Sequence, residues 1–484
     1  MRAASALLLA ALGLASPAAA QREPGAKPVR DAAIEAIAFD ARAAPAEFAA
    51  DILLRLAASE RIGDPEWKRE LLEEAYVRAY AATDAYRVTA APSTPADTRQ
   101  RAEVIASDTA LTRVSLQARA AQSMAFIDPA RAREMFEWID FDLVPGSCDS
   151  PLVPAVDEYY ATLAVLARRT FADDTEGRSD ALRFISLYVW RAHLPAEMPA
   201  VARALRTFRP TADEALYLEG RLRWILETSL PDPRSFSSVA LDLVTRFMDL
   251  EDADRNLGIL NWNVTRALRD YLVVQFKGQR CGDSLSDGPA ADLFNTSLKK
   301  RNVAAEAVAP LASADTRPSR LLGVARLDRY WQTLDARRLY ERGVQLRGTE
   351  KNPVRDQVRM TEAWLNQAEH LLIDLERWSG TREALERDYL YQKGALYTLL
   401  VDLVPASTLR SRTLRSFVDF LRTSDRDRAN RTLWFAFANR MIALTRSADR
   451  AVALDLLEES RHPVLALYGR LERTLGLPGN RANF

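Results

Sequence analysis

Hydrophobic residues recur at three-to-four spacing through almost the whole chain, and short clusters of Pro, Gly and Asp interrupt them. This pattern constrains the fold more than any other feature, because each segment carries one oily stripe that must be buried against a neighbour. Residues 64–83 read DPEWKRELLEEAYVRAYAAT. Asp64 is placed to cap a helix and Pro65 suits its first turn. Leu71, Leu72, Ala75, Tyr76 and Tyr80 form its stripe. In residues 353–380, Trp364, Ala368, Leu371, Leu375 and Trp378 form another stripe, which Gly380 ends. Similar segments begin near Ala44, Leu111, Val153, Glu176, Ala196, Thr211, Pro233, Pro318, Thr381, Arg426 and Asp449. Breakers such as Pro145-Gly146, Pro231-Asp232-Pro233 and Gly348-Thr349 separate them. No period-two alternation and no hairpin turn between β-branched runs is present. The expected fold class is all-α, with roughly 17 to 20 helices of ordinary length. Short connections favour antiparallel neighbours, so the expected architecture is irregular helical hairpins forming a curved solenoid or superhelix. A closed α/α toroid is the alternative.

The first 20 residues read as a leader rather than as part of this body. Arg2 supplies the positive end, residues 6–15 form an apolar run, and Ser16-Pro17 breaks it. Ala18-Ala19-Ala20 gives the small-residue pattern before Gln21. The run is too short to span a bilayer, and no later stretch is long and uncharged enough to do so. The expectation is export to the periplasm or the extracellular space after cleavage near Ala20, with no transmembrane anchor in the mature chain. Three blocks follow: 21–145, 146–317 bracketed by two cysteine loops, and 318–484. Residues 303–317 are the best internal linker.

Leu116, Ala120, Ala132, Phe136 and Ile139 carry the small and large packing residues of a two-helix hairpin, and Asp128-Pro129 opens its second helix. Asp449, Ala453 and Leu457 repeat part of that second helix. This stretch resembles the tetratricopeptide repeat, one of the α-solenoid families. The motif's usual Trp, Gly and Tyr are absent from the first helix, and a strict 34-residue period does not continue along the chain. The resemblance implies hairpin packing and a concave protein-binding face.

Composition removes several function classes. The chain has 66 Lys+Arg against 66 Asp+Glu, and so lacks the electrostatic footprint of a nucleic-acid binder. No Walker loop, Gly-x-Gly-x-x-Gly, Gly-x-Ser-x-Gly or His-Glu-x-x-His occurs. Three histidines limit histidine chemistry. His370, with Asn366 and Asp374 four residues to either side, is assigned to a solvated face. His193 and His462 are assigned to helix ends. Asp252, Asp254 and Asn256 begin like a calcium loop, but Leu257 occupies the obligatory glycine position. Lys299-Lys300-Arg301 reads as a solvated helix end. Trp138, Trp190, Trp224, Trp364 and Trp378 fall inside helical patterns and are assigned to the core. No catalytic, cofactor-binding or metal-binding residue is assigned.

The two cysteines are the remaining chemical feature. Cys148 and Cys281 both lie in loop contexts, and an exported chain with such a pair invites a disulfide. Closing so long a loop stabilises a fold by roughly 4–5 kcal/mol in the chain-entropy model. About six helices separate the loops, an even number, so both belong at one end of the helical layer. Three hairpins in a straight row would hold them tens of ångströms apart, so the bond requires the middle block to curve back. Such a meeting brings Asp149, Asp283 and Asp287 near Asp157, Glu158, Tyr159 and Tyr160; loop caps and turns are the preferred role for these acids over a cation site. The expected function is an exported helical-repeat scaffold that binds another protein without catalysis. The alternative is a secreted α/α-toroid polysaccharide hydrolase or lyase with a converging pair of carboxylates.

Overall fold

The computed structural model describes residues 30–82, 86–88, 109–140, 152–230, 237–259, 262–277, 284–301, 331, 333–348, 352–379, 386–424 and 431–476. Local signals set where its helices start. Asp31 opens α1 (Ala32–Ala41) by accepting from the Ala33 and Ile34 N–H groups. After α2 (Ala46–Ala57), Asp64 caps α3 (Pro65–Ala79), with Pro65 in the first turn. Thr112 caps α4 (Arg113–Met124), and Asp128 caps α5 (Pro129–Glu137). These short side chains satisfy N–H groups that have no partner within the helix.

The pattern continues through α6 (Asp157–Arg169), α7 (Thr175–Val189), a 3₁₀ turn at Pro195–Glu197 and α8 (Met198–Phe208). A Thr211/Glu214 capping box begins α9 (Ala212–Thr228). Then come α10 (Ser237–Asn256), α11 (Trp262–Lys277) and α12 (Ser284–Arg301). The C-terminal part holds α13 (Leu334–Arg347), the short α14 (Asp356–Arg359), α15 (Glu362–Arg377), α16 (Glu386–Leu403) and α17 (Thr408–Ser424). It ends with α18 (Arg431–Leu444), α19 (Arg450–Glu459) and α20 (Pro463–Leu475).

The protein is therefore all-α, with twenty α-helices among the described residues. One three-residue antiparallel ladder departs from this. Strand β1 (Tyr86–Val88) pairs with β2 (Leu152–Pro154), Arg87 opposite Val153. The helix expected from Val153 begins instead at Asp157. Likewise the segment expected from Pro353 becomes α14 followed by α15, which starts only after Thr361 accepts from the Trp364 N–H. Among the described residues, no helix is long and apolar enough to cross a membrane.

Consecutive helices pack as hairpins in two layers. In the inner layer, α2, α4, α6, α8, α10 and α12 each pack on the next in that order. The helices between them in sequence form an outer layer. Outer neighbours run parallel: Arg178 near the start of α7 reaches Glu214 and the Arg209 carbonyl at the start of α9, while Arg221 farther along α9 donates to the Ala192 carbonyl just beyond α7. The positions shared with the tetratricopeptide pattern are core positions; Leu116, Ala120, Ala132, Phe136, Ala453 and Leu457 are fully buried. In the C-terminal part, α13, α16, α18 and α20 form a comparable row, with α15, α17 and α19 beside them. Gly394 permits the close approach of α16 to α18, since a Cβ there would meet the Phe437 ring at 2.6 Å.

The last helix closes on the first ones. Helix α20 packs on both α1 and α2. Phe48 of α2 is fully buried among Trp434 and Phe435 of α18 and Tyr468 of α20, with ring centroids 5.0–6.5 Å from its own. Beside this aromatic cluster lies a buried charge network. Asp51 accepts from Tyr468 Oη at 2.8 Å and meets Arg55 at 2.8 Å and Arg119 at 2.9 Å. Arg55 also reaches Glu472 at 3.1 Å, and Arg446 pairs with the same carboxylate. Burial alone would raise the Asp51 carboxyl, but the two guanidinium charges and the tyrosine hydroxyl outweigh it and hold it below the usual aspartate value. In space the array thus runs from α13 through α20, across this seam to α1 and α2, and on to α12.

Candidate binding surface on the outer helices

The stripe of α9 buries Ala215, Leu218, Glu219, Leu222, Ile225 and Leu226. Tyr217, Gly220 and Trp224 fall on the opposite side, because positions three and seven residues apart share a helix face. Tyr217 is 51% and Trp224 44% exposed. Trp190, the residue that ends α7, is also 44% exposed and lies 5.8 Å from the Tyr217 ring. The Arg221 guanidinium sits 3.8 Å over Trp224 and 5.7 Å from Trp190. Leu187 of α7 and Leu216 of α9 are also exposed.

Beneath the patch, Glu197 fixes the connection from α7 to α8. It is fully buried, accepts from the Tyr160 hydroxyl at 2.7 Å, and accepts from the His193 and Leu194 N–H groups at 2.9 Å each. The segment that carries Trp190 and the Ala192 carbonyl is thereby tied to α6. Further along the same layer, Tyr80 and Trp138 end α3 and α5 and are 50% and 72% exposed. Parallel outer helices set such ending residues along one edge.

The core assignment of Trp138, Trp190 and Trp224 is therefore corrected, as is that of Tyr80; Trp364 and Trp378 are buried as expected. The reason is geometric. Trp138, Trp190 and Tyr80 each lie at the residue that closes a helix, where the stripe no longer points inward. Trp224 is off the stripe of its own helix. The signal was present in the sequence: Tyr217 and Trp224, seven residues apart, oppose the Ala215–Leu218–Leu222–Ile225 stripe.

Other candidate residues take structural roles. His370 is exposed, and Asp374 pairs with Arg342. His193 is half-exposed at the end of α7, and His462 accepts from the Leu465 N–H at the start of α20. Asp157 pairs with Arg203, and Tyr159 and Tyr160 are core residues. Asp252, Asp254 and Asn256 lie on α10, so they belong to no loop. Cys148, Cys281, Asp149 and Asp283 lie outside the described residues, as do residues 1–29. The side chain of Asp287 is likewise not described. Six α-helices, α6 to α11, separate the two cysteine segments. Among the described residues no group of three His, Cys, Asp or Glu is placed to hold a metal ion.

Three further clusters bear on catalysis. A groove of about 690 Å³ between α3 and α5 is lined by Glu70, Glu73 and Glu74 with Tyr76 and Val77. All three acids are paired, with Arg30, Arg131 and Arg42 respectively. Lys393 of α16 is buried, and burial pushes its amine down to about 8; it donates to the Trp378 carbonyl at 2.6 Å and thereby closes the end of α15. Glu219 of α9 and Asp254 of α10 form a buried carboxyl pair in hydrogen-bond contact. That contact sets them closer than the roughly 5 Å or more that separates glycosidase carboxylates. Burial raises the Asp254 carboxyl above its ordinary value, the Glu219 hydrogen bond offsetting part of the rise.

A raised folded value means the native state holds its proton more tightly than the unfolded chain does. That contribution is complete below the ordinary aspartate pKa and is lost as pH rises through the raised value. Asp254→Asn removes this dependence. The variant should gain stability relative to the parent between about pH 4 and about pH 8. Urea midpoints at the two pH values check it, and a difference independent of pH would refute the assignment.

No known protein-family model matches the chain, and no curated protein matches it significantly.

Proposed function

We propose that this chain is an exported helical-repeat scaffold of tetratricopeptide-like hairpins that binds another protein, without catalysis, through the outer surface of α7 and α9. The observation that carries the reading is the cluster of Trp190, Tyr217 and Trp224 around Arg221. Trp, Tyr and Arg are the residues that dominate binding energy at protein interfaces, and a monomer gains nothing by leaving three such rings together in water. Helical arrays supply rigid, extended surfaces of this kind, though function belongs to the site and not to the fold. In this reading the first 20 residues are a leader and Cys148 bonds to Cys281. Intact mass of exported protein without reductant checks both.

The polysaccharide hydrolase or lyase reading requires converging acids that reach a substrate. The Glu219–Asp254 pair is the nearest arrangement to that requirement, and it is buried. The deciding experiment uses affinity-tagged parent protein and a Trp190→Ala/Trp224→Ala variant, expressed in the native host. The proposal expects one protein recovered in stoichiometric amount with the parent and lost with the variant. The purified pair should then rebind with micromolar or tighter affinity, weakened at least tenfold by the double substitution, about 1.4 kcal/mol or more. Polysaccharide cleavage that disappears in Glu219→Gln or Asp254→Asn would overturn it.

A further inference from the structure

Gly220 occupies the outward centre of α9, between Tyr217 and Trp224, and a Cβ built there meets nothing within 4 Å. A mid-helix glycine costs about 1 kcal/mol relative to alanine, and here no close neighbour requires it. The glycine leaves a notch between two rings roughly 10 Å apart along the helix axis. Trp190 and Arg221 wall the notch on the α7 side. Its charge is asymmetric. Neither Arg191, over the Tyr188 ring, nor Arg221 forms a salt bridge among the described residues, whereas Arg223 and Glu227 neutralise each other. Glu197, the carboxylate behind Arg221, is buried and committed to three donors. The exposed acids on this face of α9 are Asp213, one turn before Tyr217, and Glu227, one turn after Trp224 and paired with Arg223.

We propose that the notch at Gly220 receives an amphipathic helix of a partner protein, one whose apolar ridge is flanked by an acidic residue that pairs with Arg191 and Arg221. A missing side chain lets a crossing ridge approach the α9 backbone closely, as in ridges-into-grooves packing. The flanking rings then cover the ridge on both sides, and recognition by apolar residues at helical spacing follows. The guanidinium groups of Arg191 and Arg221, neither held in a salt bridge, favour an acidic partner and disfavour a basic one. This inference rests on the protein-binding reading and specifies what that surface recognises.

The test pans a phage-displayed library of 20-residue helical peptides, with one randomised face, against the intact protein. Each enriched peptide is then synthesised and titrated against parent, Gly220→Leu and Arg191→Gln. Gly220 is exposed with open space around it, so Gly220→Leu is expected to fold and to unfold at higher urea than the parent. The inference expects enriched peptides with an apolar stripe and an adjacent Asp or Glu. Their affinity should fall at least tenfold in Gly220→Leu and several-fold in Arg191→Gln. Enriched peptides that bind Gly220→Leu as tightly as the parent, or that carry Lys and Arg beside the stripe, overturn it. A panning that enriches nothing also overturns it. The protein-binding reading survives these failures if the native-host recovery still depends on Trp190 and Trp224, so the two outcomes are separable.

Discussion

Asp51→Ala is expected to destabilise the protein by about 3–5 kcal/mol, the cost of breaking a buried ion pair from one side. The carboxylate is 1% exposed and serves Arg55, Arg119 and Tyr468 together. Its removal leaves guanidinium charge packed against the Tyr468 ring, 5.2 Å away, with only Glu472 to compensate Arg55. The loss should be local before it is global. Hydrogen exchange should accelerate first in residues 32–57 and 463–475, which face each other across the seam, while α10 to α12 keep their protection. Uniform acceleration, or a change in urea midpoint too small to resolve, would show that the network does not hold the seam. Acid acts in the same direction: because the Asp51 carboxyl is held below its ordinary value, its contribution is present above that value and fades as pH falls through the lowered one.

Glu197→Ala should cost about 3 kcal/mol or more, because it orphans three donors at once: the Tyr160 hydroxyl and the His193 and Leu194 N–H groups. Glu197→Gln, which keeps an acceptor oxygen, should cost less. The readout that separates positioning from bulk stability is Trp190. Its fluorescence and its accessibility to quencher should change in Glu197→Ala under conditions where the fold is intact, since Glu197 ties down the turn that follows α7. Unchanged quenching, compared with a Trp190→Phe control, would remove Glu197 from the support of the Trp190 surface.

The sequence exposes the helices because helix-forming information is local. Asp64, Asp128, Thr211 and Thr361 cap the helices that follow them, and the stripes of α3 and α15 point inward along most of their length. What is non-local is hidden. Nothing within ten residues of Phe48 announces that it packs on Trp434, and Asp51 and Tyr468 are 417 positions apart. The β1–β2 ladder escapes notice because three residues are too few to show a period of two. The exposed aromatics of α7 and α9 depart from the sequence expectation for a different reason. Composition weights a tryptophan toward the interior, whereas its position on the helix decides its direction. Trp364 lies on the stripe, Trp224 lies off it, and Trp190 comes after the last turn.

The closure of α20 on α1 and α2 has a kinetic consequence. Bringing residues 417 apart into register carries a loop-closure entropy of roughly 5 kcal/mol, and no contact across the seam exists until nearly the entire polypeptide has been made. Helices α1 and α2 are made well before α18 and α20 and stay unsealed until then, with Phe48 uncovered while they wait. Assembly of this protein should therefore finish in its middle, with a late and slow step in which its earliest and latest segments join.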